Sequence, residues 1–161
     1  MRFAAFTDDD EAVPDDAILY RRVVWDKLGG RGRCPVGESP CLNGNCFTDW
    51  PADRAAAEGF PGPCMSVGVS TELDRLGLTP EKMLENYPEC GLAGVSAGDL
   101  RRLVKGDGKE CPQGMMLAAT EAEPWHGVVF DSAGGQRTRG ARDAIAATAR
   151  WVIPLVNEKP G

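Results

Sequence analysis

Apolar and polar positions alternate along several short runs of the chain. In "CMSVGVS" (64–70), Met65, Val67 and Val69 fall on one side and Ser66, Gly68 and Ser70 on the other, the period-two pattern of a half-buried strand. "AILYRRVVW" (17–25), "GLAGVS" (91–96) and "HGVVF" (126–130) are likewise short, rich in β-branched or aromatic residues, and bounded by Gly, Pro or acids; "MMLAAT" (115–120) is a fainter example. A period near 3.6 predicts three helices. "TPEKMLENYP" (79–88) offers Thr79 as N-cap, Pro80 at the first position and Pro88 as a stop, with Met83, Leu84 and Tyr87 on one face. "SAGDLRRLVKGDG" (96–108) opens on Ser96 and Asp99, closes on Gly106, and carries a Leu100, Leu103, Val104 stripe. "RGARDAIAATARWV" (139–152) repeats Ala141, Ile145, Ala149 and Val152 before Pro154. Leu84, Leu100, Leu103, Ile145 and Val152 are the expected core contacts of these helices. A further turn, "STELDRLG" (70–77), has Ser70 or Thr71 as its cap.

Residues 26–63 show neither period. Strands and helices elsewhere alternate without βαβ regularity. The pattern therefore predicts one α+β domain over 17–161, in which a mixed or antiparallel sheet is covered by two or three amphipathic helices and interrupted by a long irregular, Cys-containing insertion. At 161 residues, the chain is long enough for one such core.

Charge changes the picture at the ends. "TDDDEAVPDD" places six acids in residues 8–16, which reads as a solvated, frayed N-terminus over 1–16. The register of an EF-hand loop, with Gly sixth and Glu twelfth, is absent there. The net charge of −6 argues against general nucleic-acid binding, which needs a basic face. No apolar run approaches the ~18 residues of a membrane span. "MRFAAFTDDD" has its short apolar stretch cut off by acids before a signal-peptide core forms, so a cytoplasmic protein with reduced thiols is the expectation.

Six cysteines are the first candidates for chemistry: Cys34, Cys41, Cys46, Cys64, Cys90 and Cys111. The spacing C-x6-C-x4-C of the first three is wider than the knuckles of most structural zinc sites. A structural zinc on Cys34, Cys41 and Cys46, with Cys64 or His126 as fourth ligand, stands beside disulfides and free thiols as the open choices. An iron–sulfur cluster lacks its close C-x2-C pair. Cross-linking by zinc or a disulfide would offset the entropy lost in ordering the insertion. Trp50, within it, either pins the loop down or lines a partner surface.

His126 is the single histidine, a candidate general base, metal ligand or hydrogen-bonded core residue. A Ser–His or Cys–His pair has to use it, with Ser66 or Cys64 as partner. G-x-S-x-G is absent, so acyl-transfer hydrolysis is not expected. "DSAGGQRTRGARD" runs a Gly-rich loop into a helix with Arg137, Arg139 and Arg142 at its start; that is either an anion-binding site or a turn with solvated arginines.

The segments "DDAILYRRV" (15–23), "MSV" (65–67), "WHGVV" (125–129) and "ATARWVIP" (147–154) together resemble a group of small bacterial proteins, a resemblance that carries no reaction with it. With one histidine, no nucleotide-binding motif and no evident acid–base pair, the first functional expectation is a protein-binding module contacting its partner through 29–63 and Trp50. The alternative is a small enzyme acting on a phosphate-bearing nucleotide such as NAD. An early-strand arginine followed by a serine-bearing strand resembles the ADP-ribosyltransferases. That resemblance implies Arg21 or Arg22 on the phosphates, Ser66 and Ser70 near the ribose, and Glu72 or Glu110 beside an oxocarbenium-like transition state.

Overall fold

The computed structural model describes residues 11–24, 42–60 and 62–155. It is an α+β domain built on one six-stranded antiparallel sheet: β1 (Ile18–Val23), β2 (Met65–Val69), β3 (Gly91–Ser96), β4 (Gln113–Leu117), β5 (His126–Asp131) and β6 (Arg150–Ile153). The spatial order is β4-β5-β2-β1-β3-β6. Four short helices accompany it: α1 (Ala52–Ala57), α2 (Ser70–Arg75), α3 (Ala97–Arg101) and α4 (Arg139–Thr148), with 3-10 turns at Gly44–Phe47 and Pro80–Leu84. No helix among the described residues is long and apolar enough to cross a membrane.

Alternation assigns the two faces. Leu19, Val23, Met65, Val67, Val69, Ala93, Val95, Met115 and Val129 form one continuous core with Phe47, Leu100, Leu103 and Ile145, brought by the first 3-10 turn, α3 and the residues just after it, and α4. Each fully buried aliphatic side chain there contributes about 1.5–3 kcal/mol relative to exposure. The opposite face is covered by two smaller clusters. Ala55 and Phe60 of the α1 segment pack on Val128 and Phe130, while Leu73, Met83 and Trp125 pack on Leu92 and Tyr20.

Those two covers end alike. After α1, Gly59 takes φ +90°, its N–H donates to Ala56 O, and Phe60 N–H donates to Ala55 O. After α2, Gly77 takes φ +70°, with Gly77 N–H to Asp74 O and Leu78 N–H to Leu73 O. This is the left-handed glycine cap that joins an apolar residue just past the helix to one in its last turn. It turns Phe60 and Leu78 inward. The α1 helix lies in a stretch expected to be irregular.

The other helices are shorter than periodicity predicts. Between Pro80 and Pro88 fewer than two α-turns are available, and the segment closes as a 3-10 turn without a side-chain cap from Thr79; Met83 is buried, Leu84 partly so, and Tyr87 is exposed. Ser96 does cap α3, accepting from Asp99 N–H at 3.0 Å. The chain then leaves the helix, exposed Val104 bridges to Glu110, and Gly108, not Gly106, holds the left-handed position. Thr138 caps α4, but the helix stops at Thr148. Trp151 and Ile153 continue as β6 along β3, leaving Val152 41% exposed instead of buried. Pairing the otherwise open edge of β3 outweighs the helical period. The caps expected at Ser70 or Thr71 are absent from α2; Ser70 Oγ instead accepts from Ile18 N–H at 2.8 Å.

Candidate functional site

Between the two covers, the second face of the sheet is polar. Antiparallel register sets Ser66 opposite Val128 and Gly68 opposite His126, so Ser66 and His126 are diagonal neighbours on one face. Ser66 Oγ lies 2.6 Å from His126 Nε2, and His126 Nδ1 lies 3.0 Å from Ala118 O. A tight turn places the remaining groups. Thr120 Oγ1 accepts from Glu123 N–H, and the Glu123 carbonyl accepts from the N–H groups of Thr120 and His126. This sends the Glu123 carboxylate to Arg22, 2.7 Å away, in a partly exposed ion pair. Arg22 is held further by Nε donating to Met83 O at 2.7 Å, with its guanidinium 4.0 Å above the Tyr87 ring.

An open cleft of about 520 Å³ runs over Ser66, His126 and Glu123, lined also by Trp50, Glu58, Phe60 and Thr120. Ser66 and Glu123 also border a smaller hollow of about 240 Å³ with Tyr20, Arg22 and Met83. The Trp50 and Phe60 rings, 6.2 Å apart and tilted by 37°, form an aromatic wall, and Arg54 lies 5.3 Å from the Trp50 ring. Trp50 is fixed by an isolated bridge to Cys64, which joins the segment before α1 to the approach to β2.

Of the two arginines in "YRR", Arg22 pairs with the cleft's Glu123 and borders the smaller hollow. Arg21 points to the core face and donates to Cys46 O, Thr48 O and Ser66 O at 2.9–3.2 Å. Burial, reinforced by the nearby Arg137 charge, pulls its pKa down to about 10. Ser70 is occupied with Ile18, Glu72 pairs with Arg75 on α2, and Glu110 is exposed at the Val104 bridge, so none of these three stands with Ser66. Glu123 occupies the place they were expected to fill. Its sequence signal, an acid three residues ahead of the single histidine at a strand start, escaped the reading of spacing alone.

The arginines of the Gly-rich loop do not converge. Arg137 is 3% exposed; its guanidinium pairs with Asp49 and donates to Gln113 Oε1 and Val129 O. Arg139 extends into solvent 3.9 Å from Asp143, and Arg142 packs beside Gly44. Cys34 and Cys41 lie outside the described residues. Cys46 belongs to the main core and Cys64 to the α1 cluster on the other face, so the structure does not bring these two together. Among the described residues, no group of three or more His, Cys, Asp and Glu is placed to hold a metal ion. Burial pushes the Cys64 thiol up to about 12, which keeps it protonated and leaves Ser66 as the partner of His126. Comparison with protein-family models, with curated proteins and with solved structures finds no match to this chain.

Proposed function

We propose that the chain is a small enzyme acting on a phosphate-bearing nucleotide, with the cleft between the two covers as its site. The observation that carries this reading is the convergence of a hydroxyl, a carboxylate and an imidazole, Ser66, Glu123 and His126, in one aromatic-walled cleft, with a cation, Arg22, paired to Glu123 in the adjoining smaller hollow that Ser66 and Glu123 also border. Its size falls in the ~300–1,000 Å³ range of small-molecule sites. Arg22 binds the phosphates by charge-assisted hydrogen bonds, exchanging Glu123 for the ligand. Released from the ion pair, Glu123 stands beside the ribose, where a carboxylate stabilises developing positive charge; Ser66 adjoins the same sugar. Trp50 and Phe60 offer a face for the base, stacking worth about 1–3 kcal/mol. This is the ADP-ribosyltransferase-like reading with its carboxylate moved to Glu123. The partly exposed Cys90 and Cys111 thiols are compatible with a reducing, cytoplasmic setting. The alternative, partner binding through 29–63, has residues 29–41 outside those described, and Trp50 lines the cleft.

Calorimetric titration with NAD and related nucleotides tests the proposal. Wild type should bind, and Arg22→Ala should weaken binding by about 10- to 100-fold, the loss of a hydrogen bond to a charged group of ~1.5–3 kcal/mol. Heat of binding absent at millimolar nucleotide would remove the reading.

A further inference from the structure

We propose a second activity for the cleft, distinct from the ribose chemistry at Glu123: Ser66 is an activated nucleophile with His126 as its base, so that a phosphoryl group is transferred through a covalent bond to Ser66 Oγ. The pair itself does not depend on the nucleotide reading; only the choice of a phosphorus electrophile rests on it, through Arg22 in the smaller hollow that Ser66 also borders.

The hydrogen-bond geometry sets the direction of proton flow. A carbonyl oxygen can only accept, so at 3.0 Å from Ala118 O the neutral imidazole carries its proton on Nδ1. Nε2 is then a bare lone pair, and the Ser66 hydroxyl 2.6 Å away must donate to it. The carbonyl is held in place by the extended β4–β5 ladder, where Ala118 N–H donates to His126 O at 2.9 Å. It plays the orienting part that a carboxylate takes in a Ser-His-Asp triad, although it offers the imidazolium less charge stabilisation. His126 is 7% exposed, whereas Ser66 borders both the large and the small hollow, so the base is sheltered and the hydroxyl faces the ligand space. Arg21 Nη1, donating to the Ser66 carbonyl at 2.9 Å, fixes the backbone beneath the hydroxyl.

In the step, Oγ forms a bond to phosphorus as its proton passes to Nε2. The leaving oxygen takes the electron pair of the broken P–O bond and receives that proton from the imidazolium. Water, deprotonated by the same Nε2, then bonds to phosphorus; Oγ leaves with the electron pair of the seryl P–O bond and regains its proton from the imidazolium.

The test uses a fluorophosphonate on the full chain, read by intact and peptide mass. Oγ displaces fluoride, which leaves with the P–F electron pair while the proton goes through His126 to solvent. One adduct on the Ser66 peptide is expected. Ser66→Ala should abolish it, and His126→Gln should slow it by about 100-fold or more. Should His126→Gln fail to fold, nitrogen-15 correlation spectra of wild type report the tautomer on one unambiguous ring: protonation at Nδ1 supports the pair, and protonation at Nε2 overturns it. A folded wild type that takes no adduct, or an adduct that persists in Ser66→Ala, also overturns it. Nucleotide binding without an adduct would refute the nucleophile and leave the nucleotide reading standing; an adduct without nucleotide binding would do the reverse.

Discussion

Arg137 crosses from the loop before α4 into the interior with each guanidinium nitrogen donating: Nε to Gln113, Nη1 to Asp49 and Nη2 to Val129 O. Its backbone N–H donates to Asp49 as well, at 2.8 Å. Burial lowers the Arg137 pKa while Asp49 opposes that shift, the balance expected of a cation removed from water but matched by a carboxylate. Asp49→Ala leaves that charge buried and unmatched, so a loss of about 3–5 kcal/mol is expected in urea unfolding. A loss below about 1 kcal/mol would mean that the pair does not tie Asp49 to the sheet. None of this was legible in the sequence, where Arg137 reads as one of three cations around a Gly-rich turn and its partner lies 88 positions away. Ser66 and His126 were legible as far as residue type goes: a lone histidine and a serine on an alternating strand. Their meeting needed the β2–β5 register, which no local pattern specifies.

At the scale of elements, β1, β2, β3 and β5 are legible in the sequence because their signal is local, β4 only in part, and β6 reads there as the end of a helix. Alternation in β2 named the buried Met65, Val67 and Val69, and all three are in the core. The helices were overextended because apolar period continues through residues whose neighbours decide otherwise. "RWVI" satisfies both a helical stripe and a strand, and the open edge of β3 settles the matter. The α1 helix was missed because its six residues carry only Ala55 as a fully buried side chain. Gly59 and Phe60, which close it, were its sequence marks. The β4–β5 hairpin supplies a direct test of how tightly the cleft's outer wall is packed. Gly114 pairs with Phe130, and a Cβ at Gly114 would sit 2.4–2.5 Å from the edge of that buried ring. Gly114→Ala therefore has to displace Phe130 from beneath the α1 cover, at about 1–3 kcal/mol. Its thermal midpoint should fall accordingly, by roughly 2–4 °C per kcal/mol for a chain of this size. An unchanged midpoint would show that the ring has room to move.

For the whole molecule, the asymmetry between the two faces of the sheet links fold to function. One face carries a continuous core under α3 and α4; the other carries two separate clusters with the polar cleft between them. The cover over β4 and β5 is small, a six-residue helix capped by Gly59, and it supplies Trp50 and Phe60 to the cleft. Few buried apolar side chains hold it, so it belongs to the part of the fold that opens without global unfolding. Native-state hydrogen exchange should show the amides of α1 opening at a lower free energy than those at the centres of β1, β2 and β5. A ligand seated against Trp50 and Phe60 favours the closed form by mass action. At about 100 times its Kd, it adds ~2.7 kcal/mol to any opening that releases it. The α1 amides should therefore gain protection on nucleotide addition, and Arg22→Ala, weakening the ligand from the opposite wall, should reduce that gain at the same concentration. If α1 exchanges only with the central strands, the cover is part of the global unit, and the cleft is rigid rather than closed by its ligand.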